Sequence, residues 1–574
     1  MADFAEYFSD EAIIDRLCKL RLKQAASRHK RLFHRQLVST VELPEIPEAV
    51  DVLPPRRQWA RFRNYRASRS LEMDENLIAL KRATSALRWE TPTLPWAERL
   101  RRRIEGIRRR ALEDAAFIFA PPTIRPVEKS PDSDEFRAIA SFTPDDQIIE
   151  GITAKYLRET FEHLFSASSL AFRCQRDGVP PPTHHTAVTK LENYRRRHLR
   201  TGLYVAECDI RGFFDCVSHD VATNALTDLI RAATAANPQS ALDSRAFRIF
   251  DAYLKCYSFP HNVKAEAEAE LKDEKGAQAY FKWPEEELGE FHADPRAVRV
   301  GIPQGGGLSC FIANAVLHHA DLEVKRCRSR TPGPYRYLRY CDDMVILAPQ
   351  RETCQIVFEA YQEALKRCLL PAHPPQPVEQ YASGFWKGKS RRPYQWARPK
   401  DTSTVPWLQF VGYQLRHDGM MRVKKKSIQK HKEKLREETD RLLRTLTTRP
   451  SPSVPNVSGF APGIRKNADQ IIHRFRKKLI AISVGRREAH DDLARAMPKC
   501  WAAGFKAIHG KRIPLNTLKE LDRYRERQIA RIIRRLRDLP PTSVAQGTSA
   551  SSRPPSFYGF PFSHVAQFKA RRRE

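Results

Sequence analysis

The chain has 574 residues, enough for two to four domains with a large core, and its excess of Lys and Arg over Asp and Glu gives a net charge of +32. That charge indicates a polyanionic partner, most simply nucleic acid. No apolar run approaches the ~20 residues that span a bilayer, and the acidic N-terminus does not fit a secretory signal. The 11 Cys are scattered without a CxxC pair, which argues against a zinc ribbon or a disulfide framework and favours a reducing, cytoplasmic location.

Residues 1–120 are predicted to form a helical extension, because Ile13, Ile14 and Leu17 begin an apolar stripe over residues 9–37. Arginines and aromatics then alternate from residue 56 to residue 66, ahead of a basic helical run to about residue 112. Rings at this spacing can stack on bases while guanidinium groups meet phosphates; the alternative is a packed helix with its aromatics in the core. The candidate RNA contacts here are Arg57, Trp59, Arg61 and Arg63.

Residues 121–199 begin with two short predicted strands, 124–129 and 136–142, joined by a Ser/Pro/Asp turn. This hairpin carries Lys129 and Arg137 near its base. Two such cations are either solvated or positioned to meet a nucleoside triphosphate. Helices are predicted over residues 147–165 and 190–200.

Residues 200–420 contain two acidic sites, each at the end of a predicted strand. Asp209 ends strand 203–208, whereas Asp342 and Asp343 lie between the β-prone runs 336–339 and 344–348, a pattern that indicates a hairpin. Adjacent carboxylates beside a buried strand repel each other and lose hydration, and a divalent cation would relieve both costs. The alternative is that they are ordinary turn residues. Between the two sites lie a charged stretch, 259–298, predicted as a surface helix or insert, and a Gly-rich loop, 301–309.

The C-terminal part is predicted to be basic and helical. A strand over residues 408–415 and a turn at Asp418-Gly419 precede it, and residues 421–540 contain two apolar stripes, one with Ile471 and Phe475 and one with Ile529 and Ile532. The arginines on the other faces are either RNA contacts or simply solvated. Disorder is expected over residues 541–574. The candidate RNA contacts in this part are Lys424, Lys425, Arg474 and Lys478.

Three of these segments resemble reverse transcriptase motifs in their family order. Asp209 to Asp215 is similar to motif A, Gly301 to Ser309 with Asn314 to motif B, and Tyr340 to Asp343 to the YxDD box. The resemblance implies an α+β right-hand polymerase. Its fingers would lie at 121–199, its palm at 200–420 and a helical thumb at 421–540, with a helical N-terminal extension and a basic C-terminal region.

The resemblance also implies the parts of a polymerase site. Two Mg²⁺ ions, for which Mn²⁺ is an alternative, would be held by Asp209, Asp342, Asp343 and the carbonyl of Ile210. Asp215 and His219 are expected to be structural, capping the next helix. The remaining implied roles are triphosphate binding by Lys129 and Arg137, a steric gate at Phe214 that favours deoxynucleotides, and nucleotide contacts at Gln304 and Gly305.

Three residues depart from the usual reverse transcriptase motifs, and these departures bear on the lineage within the family. Gly307, Cys310 and Cys341 differ from residues common in intron and retron enzymes, and the chain lacks an HNH-like tail. Its layout resembles the bacterial defence-associated, or unknown-group, reverse transcriptases. That implies an antiphage role, a non-coding RNA partner serving as template or scaffold, dNTP substrates, a cDNA product and possible oligomerisation through the extension.

Other functions remain open at this point. One is a group II intron-encoded or retron-type reverse transcriptase or maturase, and another is an RNA-binding maturase without catalysis. An RNA-templated RNA polymerase is disfavoured by the bulk of Phe214. Priming from a nucleic acid and priming from a protein hydroxyl are equally compatible with the motifs.

Overall fold

The chain is described by a computed structural model over residues 3–38, 51–59, 75–129, 135–175, 178–199, 201–237, 241–268, 280–376, 385, 388–398, 404–447, 468–484 and 515–538. It divides into two compact units. Unit 1 comprises residues 1–17, 93–411 and 416–419, and unit 2 comprises residues 18–92, 412–415 and 420–574. Within the described part of the chain, no helix is both long and apolar enough to cross a membrane.

Helices make up most of the described residues. A π-helical segment covers Phe259–Ala267, and short 3₁₀ turns cover Phe4–Phe8, Arg56–Gln58 and Cys327–Ser329. The α-helices are α1 (Asp10–Val38), α2 (Glu75–Leu87), α3 (Pro95–Leu112), α4 (Pro144–Phe161), α5 (His184–Arg197), α6 (Phe213–Cys216), α7 (His219–Ala236), α8 (Ser244–Lys255), α9 (Glu285–Leu288), α10 (Gly307–Arg326), α11 (Arg351–Arg367), α12 (Lys425–Thr447), α13 (Ala468–Val484) and α14 (Leu515–Arg537).

The strands are short and lie mostly in unit 1. They are β1 (Thr123–Glu128), β2 (Phe136–Ser141), β3 (Leu203–Cys208), β4 (Arg336–Tyr340), β5 (Asp343–Ala348), β6 (Pro375–Gln376), β7 (Ser390–Trp396), β8 (Thr404–Val405), β9 (Trp407–Phe410), β10 (Tyr413–Arg416) and β11 (Met421–Val423).

Unit 1 is built on a six-stranded sheet of order β4-β5-β3-β7-β6, with β8 also pairing β7. The pairs β4–β5, β5–β3 and β3–β7 are antiparallel. Helix α11 packs against β3, β5 and β7, and α10 packs against α11, α4 and α7. The run Met344–Ala348 is buried, as predicted, because the central strand β5 has a neighbour on each side and helices behind it. A small sheet with helices behind it is the α+β palm that the motifs implied.

A separate hairpin in unit 1, β1–β2, pairs Val127 with Arg137 and Glu128 with Phe136. Both strands match their predicted positions. The side chains of Phe136, Ala138 and Ala140 are buried on one face, which leaves Arg137 exposed on the other. The hairpin therefore presents Arg137 to solvent or to a ligand, whereas Lys129 Nζ lies 3.4 Å from Glu135 Oε2.

Three segments differ from their predictions. Residues 259–267 are only partly at the surface: Phe259 and Val263 are buried, whereas His261 is exposed. The strand predicted over residues 408–415 is broken into β9 and β10 by positive φ angles at Val411 and Gly412. The basic helical run before residue 112 contains two separate helices, α2 and α3, with Pro95 in the first turn of α3.

Unit 2 has its own apolar core. The two stripes predicted from the sequence meet there, with Leu435 and Leu442 of α12 packed among Phe475, Ile529 and Ile532. The stripes are thus confirmed as core faces. Leu37, near the end of α1, belongs to the same core.

Candidate active site

The hairpin between β4 and β5 presents the acidic pair at its end. Tyr340 pairs with Asp343, so the turn consists of Cys341 and Asp342 alone. Cys341 has a φ angle of 59°, in the left-handed region that a tight two-residue turn requires. Asp342 is half-buried and Asp343 is exposed. The two acids therefore differ in environment although they are adjacent in sequence.

Asp209 lies at the same end of the sheet. Cys208 pairs with Met344, which places the residue after β3 beside the residue before Met344. Burial raises the pKa of the Asp342 carboxyl, and the charge of Asp209 raises it further. The two acids predicted to share a metal centre are therefore brought together.

Asp209 is paired with positively charged or basic side chains. Its Oδ2 lies 3.0 Å from Lys389 Nζ and 3.5 Å from His373 Nε2. Within the described ranges, no three His, Cys, Asp or Glu side chains are grouped to hold an ion as they stand. Carboxylates that share burial and repulsion are nonetheless suited to a hard divalent cation, which would supply the charge that Lys389 now provides.

A buried arginine supports the turn that carries Asp342. Arg339 is fully buried, and its Nη2 lies 2.6 Å from Asp321 Oδ2 on α10. The same Nη2 donates to Ser169 Oγ at 2.9 Å. Its Nη1 donates to the carbonyl of Cys341 at 3.1 Å and to Asn314 Oδ1 at 3.3 Å. One guanidinium thus fixes the backbone of the turn that carries Asp342.

The Gly-rich loop approaches the β1–β2 hairpin closely. The amide of Ala140 donates to the carbonyl of Gln304 at 3.1 Å, and Gly305 follows with a φ angle of 120°. A Cβ on Gly306 would lie 2.0 Å from the Tyr253 hydroxyl, so only glycine fits there. The loop is therefore held in one shape next to the hairpin that carries Lys129 and Arg137.

Helix α10 begins directly after this loop and is capped by a buried acid. The amides of Gly307 and Leu308 donate to Glu150 Oε2 at 2.8 and 3.0 Å. Burial raises the pKa of Glu150 to about 7, although both bonds favour the charged form. The carboxyl of α4 therefore anchors the end of the Gly-rich loop.

The structure corrects the expected role of Asp215. Helix α7 is capped by Ser218, and His219 lies 2.8 Å from the carbonyl of Gly301 through Nε2, so neither predicted cap is one. Asp215 instead accepts from Gln304 Nε2 at 2.7 Å. Burial raises its pKa to about 6, and Lys129 and Arg137 act on it in the opposite direction. Asp215 thus faces the groups expected to bind the nucleotide.

The two neighbouring phenylalanines point in different directions. Phe213 is buried in the core, whereas Phe214 is half-buried. The carbonyl of Phe214 accepts from Ile302 at 2.7 Å, which fixes it against the start of the Gly-rich loop. The backbone at Ile210 is fixed as well, since it bridges to Ala372. Phe214 is therefore the one of the pair placed to meet a ligand.

A protein-family model matches the region that contains this site. Residues 127–374 match the sequence model of the family described as "Reverse transcriptase (RNA-dependent DNA polymerase)". These residues form a reverse transcriptase domain. It contains both acidic sites and the Gly-rich loop. No curated protein matches the chain in sequence.

Solved structures similar to this chain include telomerases. Telomerase from Candida albicans, in complex with a TWJ fragment of telomeric RNA, is 10% identical over 72% of this chain and 59% of that one, with a TM-score of 0.32. Apo telomerase from Candida tropicalis is 11% identical over 73% and 64%, with a TM-score of 0.34. A form of it truncated from the C-terminal domain is 12% identical over 53% and 55%, with a TM-score of 0.30. This chain therefore spans less than two thirds of each.

Sequence reasoning missed two parts of the reverse transcriptase domain. Arg339 carried a weak signal, because an arginine in the middle of a strand that becomes buried needs an acid as partner. Glu150 carried none, since one acid in an amphipathic helix is ordinary. Both act through partners more than 15 residues away, which no local pattern reveals.

The predicted RNA contacts outside the reverse transcriptase domain differ in their exposure and in their existing contacts. Arg57 is exposed, whereas Trp59 donates its indole N–H to the carbonyl of Pro54 at 2.9 Å. Lys478 lies over the Phe33 ring, 4.7 Å from its centroid. Arg61 and Arg63 lie outside the described residues. Of the rest, Lys425 and Arg474 are exposed and Lys424 is half-buried.

Proposed function

We propose that this chain is an RNA-directed DNA polymerase that copies a bound non-coding RNA into cDNA by phosphoryl transfer at a two-metal centre. The observation that carries the proposal is the convergence of Asp209 and Asp342 at one end of adjacent strands, where the charge of one raises the pKa of the other. Two carboxylates converge in this way at a cost that a divalent cation repays.

The proposed metal ligands are Asp209, Asp342, Asp343 and the carbonyl of Ile210. Mg²⁺, or Mn²⁺ in its place, would supply charge to both the attacking and the leaving oxygen of the transfer. Arg339 keeps the turn of Asp342 in place, because it holds the carbonyl of Cys341. The carboxylates are thus positioned before any ligand arrives.

The remaining residues would bind and select the nucleotide. Lys129 and Arg137 lie on the hairpin beside the Gly-rich loop, where they can neutralise a triphosphate. Gln304 and Gly305 would contact the incoming nucleotide. Phe214, half-buried and fixed by its backbone, would exclude a ribose 2′-hydroxyl and so select deoxynucleotides.

Primer extension tests the proposal directly. Purified protein is given an RNA template, an annealed DNA primer, dNTPs and Mg²⁺ or Mn²⁺, and Asp209→Asn and Asp342→Asn are compared with wild type. We expect either substitution to reduce incorporation at least a hundredfold. Asp228→Asn, in an exposed carboxylate of α7, is the matched control and should keep full activity. Incorporation that survives in both active-site variants would refute this metal centre, and no incorporation by wild type would leave an RNA-binding role without catalysis.

We also propose an antiphage role in the cytoplasm, supported by the resemblance to defence-associated reverse transcriptases, and association of copies through the N-terminal extension. Sequencing the co-purified RNA and the cDNA identifies the template and the priming mode. Plaque counts in cells with wild type or Asp342→Asn test the role. Protection that is equal in both strains, or an intron as the bound RNA, would favour a mobile-element enzyme.

A further inference from the structure

Helix α5 lies along the edge strand of the palm sheet. At its start, the ring of His184 is 6.4 Å from that of Tyr340. Near its end, the Tyr194 hydroxyl donates to the carbonyl of Pro334 at 3.5 Å. The helix therefore runs antiparallel to β4, from the catalytic turn toward the opposite end of the strand.

Strand alternation shows which face of β4 this helix covers. Tyr337 and Arg339 both bond to Asp321 of α10, on the face where the helices pack. Side chains alternate along a strand, so Arg336 and Tyr340 point to the other face. Arg336 thus lies on the same face as Tyr340, about 13 Å away at 3.3 Å per residue.

Like charges gather around Arg336. Burial lowers the pKa of its guanidinium, and Arg197 and Arg328 lower it further. Its Nε is buried and makes no hydrogen bond in the described part of the chain. The charge of Arg336 also lowers the pKa of Lys190. No carboxylate in the described ranges is among the groups that act on Arg336. Cations collected without an acid form a site for an anion.

Two tyrosines border this cluster. Arg328 lies over the ring of Tyr335, 5.9 Å from its centroid, and Tyr194 acts electrostatically on Arg336. Arg197 and Arg328 are exposed, so an extended ligand can reach them from solvent. Guanidinium groups beside tyrosines are typical of contacts to nucleic-acid phosphates.

We propose that Lys190, Arg197, Arg328 and Arg336 form a phosphate site for the backbone of the template–primer duplex. The proposal rests on the proposed polymerase function, since that function puts a duplex end at Asp342. A separation of about 13 Å corresponds to about four nucleotides at 3.4 Å per nucleotide of one strand. The site therefore contacts the duplex backbone about four nucleotides behind the growing end. At that distance it does not contact the incoming triphosphate.

Duplex binding without nucleotides tests this site apart from catalysis. The dissociation constant of a labelled RNA–DNA hybrid is measured by anisotropy at several salt concentrations for wild type, Arg328→Gln and Arg197→Gln/Arg336→Gln. Each lost phosphate contact should make the dependence of log K on log salt shallower by about 1 and weaken binding several-fold. Arg231→Gln, in an exposed arginine of α7, is the matched control and should change neither.

Neutral linkages locate the contact. Single methylphosphonates are placed at each of the first eight positions from the primer end, on either strand. A linkage about four nucleotides from the end should weaken binding to wild type but not to the double variant. Equal effects in both proteins, or an unchanged salt slope in all variants, would overturn the site. If wild type binds as expected but never extends a primer, the polymerase proposal fails instead. Arg328 is exposed, so its variant tests the site even if the double variant is unstable.

Discussion

Replacing Asp215 by Asn should make the reverse transcriptase domain more stable and less able to use nucleotides. Burial raises the pKa of Asp215 from 3.8 to about 6, which corresponds to ~3 kcal/mol at ~1.4 kcal/mol for each unit. Between these values the native state binds more protons than the unfolded state. Stability therefore falls as the pH rises through this window, and the full cost is present above pH 6. Asp215→Asn removes that cost.

The size of the effect follows from the same numbers. About half of the cost is already relieved at pH 5, so the advantage of Asp215→Asn should grow by ~1.5 kcal/mol between pH 5 and pH 7.5. At roughly 2 °C for each kcal/mol in a large domain, this is a gain of ~3 °C in Tm across that range. Thermal melts of wild type and variant measure it. Asp228→Asn, in an exposed carboxylate, is the comparison variant.

The loss of function has a separate cause. A carboxylate only accepts hydrogen bonds, so Asp215 fixes Gln304 with its Nε2 inward and its Oε1 outward. Asn can present either a donor or an acceptor, and Gln304 then loses its fixed orientation. We expect a higher KM for dNTPs with a smaller change in kcat. A pH-independent Tm difference would refute the account of burial, and an unchanged KM would refute the account of orientation.

Three further predictions concern neighbouring residues. Phe214→Ala should raise the incorporation of ribonucleotides relative to deoxynucleotides at least tenfold in competition assays. Unchanged selectivity would refute the steric-gate role of Phe214. Gly306→Ala should abolish primer extension, because its Cβ would meet the Tyr253 hydroxyl at 2.0 Å, and adding Tyr253→Phe should restore part of it; no rescue would mean that another contact decides. Arg339→Ala should cost about 3–5 kcal/mol in denaturant melts, because it leaves the buried Asp321 without its cation; a cost below ~1 kcal/mol would contradict that ion pair.

Local patterns predicted much of the reverse transcriptase domain. Strand 203–208 was predicted to the residue, because five of its six side chains are buried and it ends at an acid. The hairpin around Asp342 was predicted because two β-prone runs flank the two acids, although Asp343 begins β5 and the turn is Cys341 and Asp342. These features depend on neighbours in sequence, so the sequence displays them.

The parts that could not be predicted depend on distant partners. Asp215 was expected to cap a helix, since Asp is common there, but its partner Gln304 lies 89 residues away. Residues 259–267 were expected at the surface from their charge, and the apolar residues between the charged ones give this segment a buried side as well. The assigned roles of Lys129, Arg137 and the RNA-binding residues remain predictions, because they concern ligands rather than packing.

The bracing of the catalytic turn has a consequence for chain synthesis. Arg339, 170 residues after Ser169, joins the loop at Ser169 to the turn at Cys341, and it also bonds to α10. All three acids of the centre lie after that loop. A fragment that begins beyond Ser169, whether from an internal start or a proteolytic cut, would keep the acids yet lose part of the scaffold beneath them. The full set of contacts beneath Asp342 therefore requires a chain that includes Ser169.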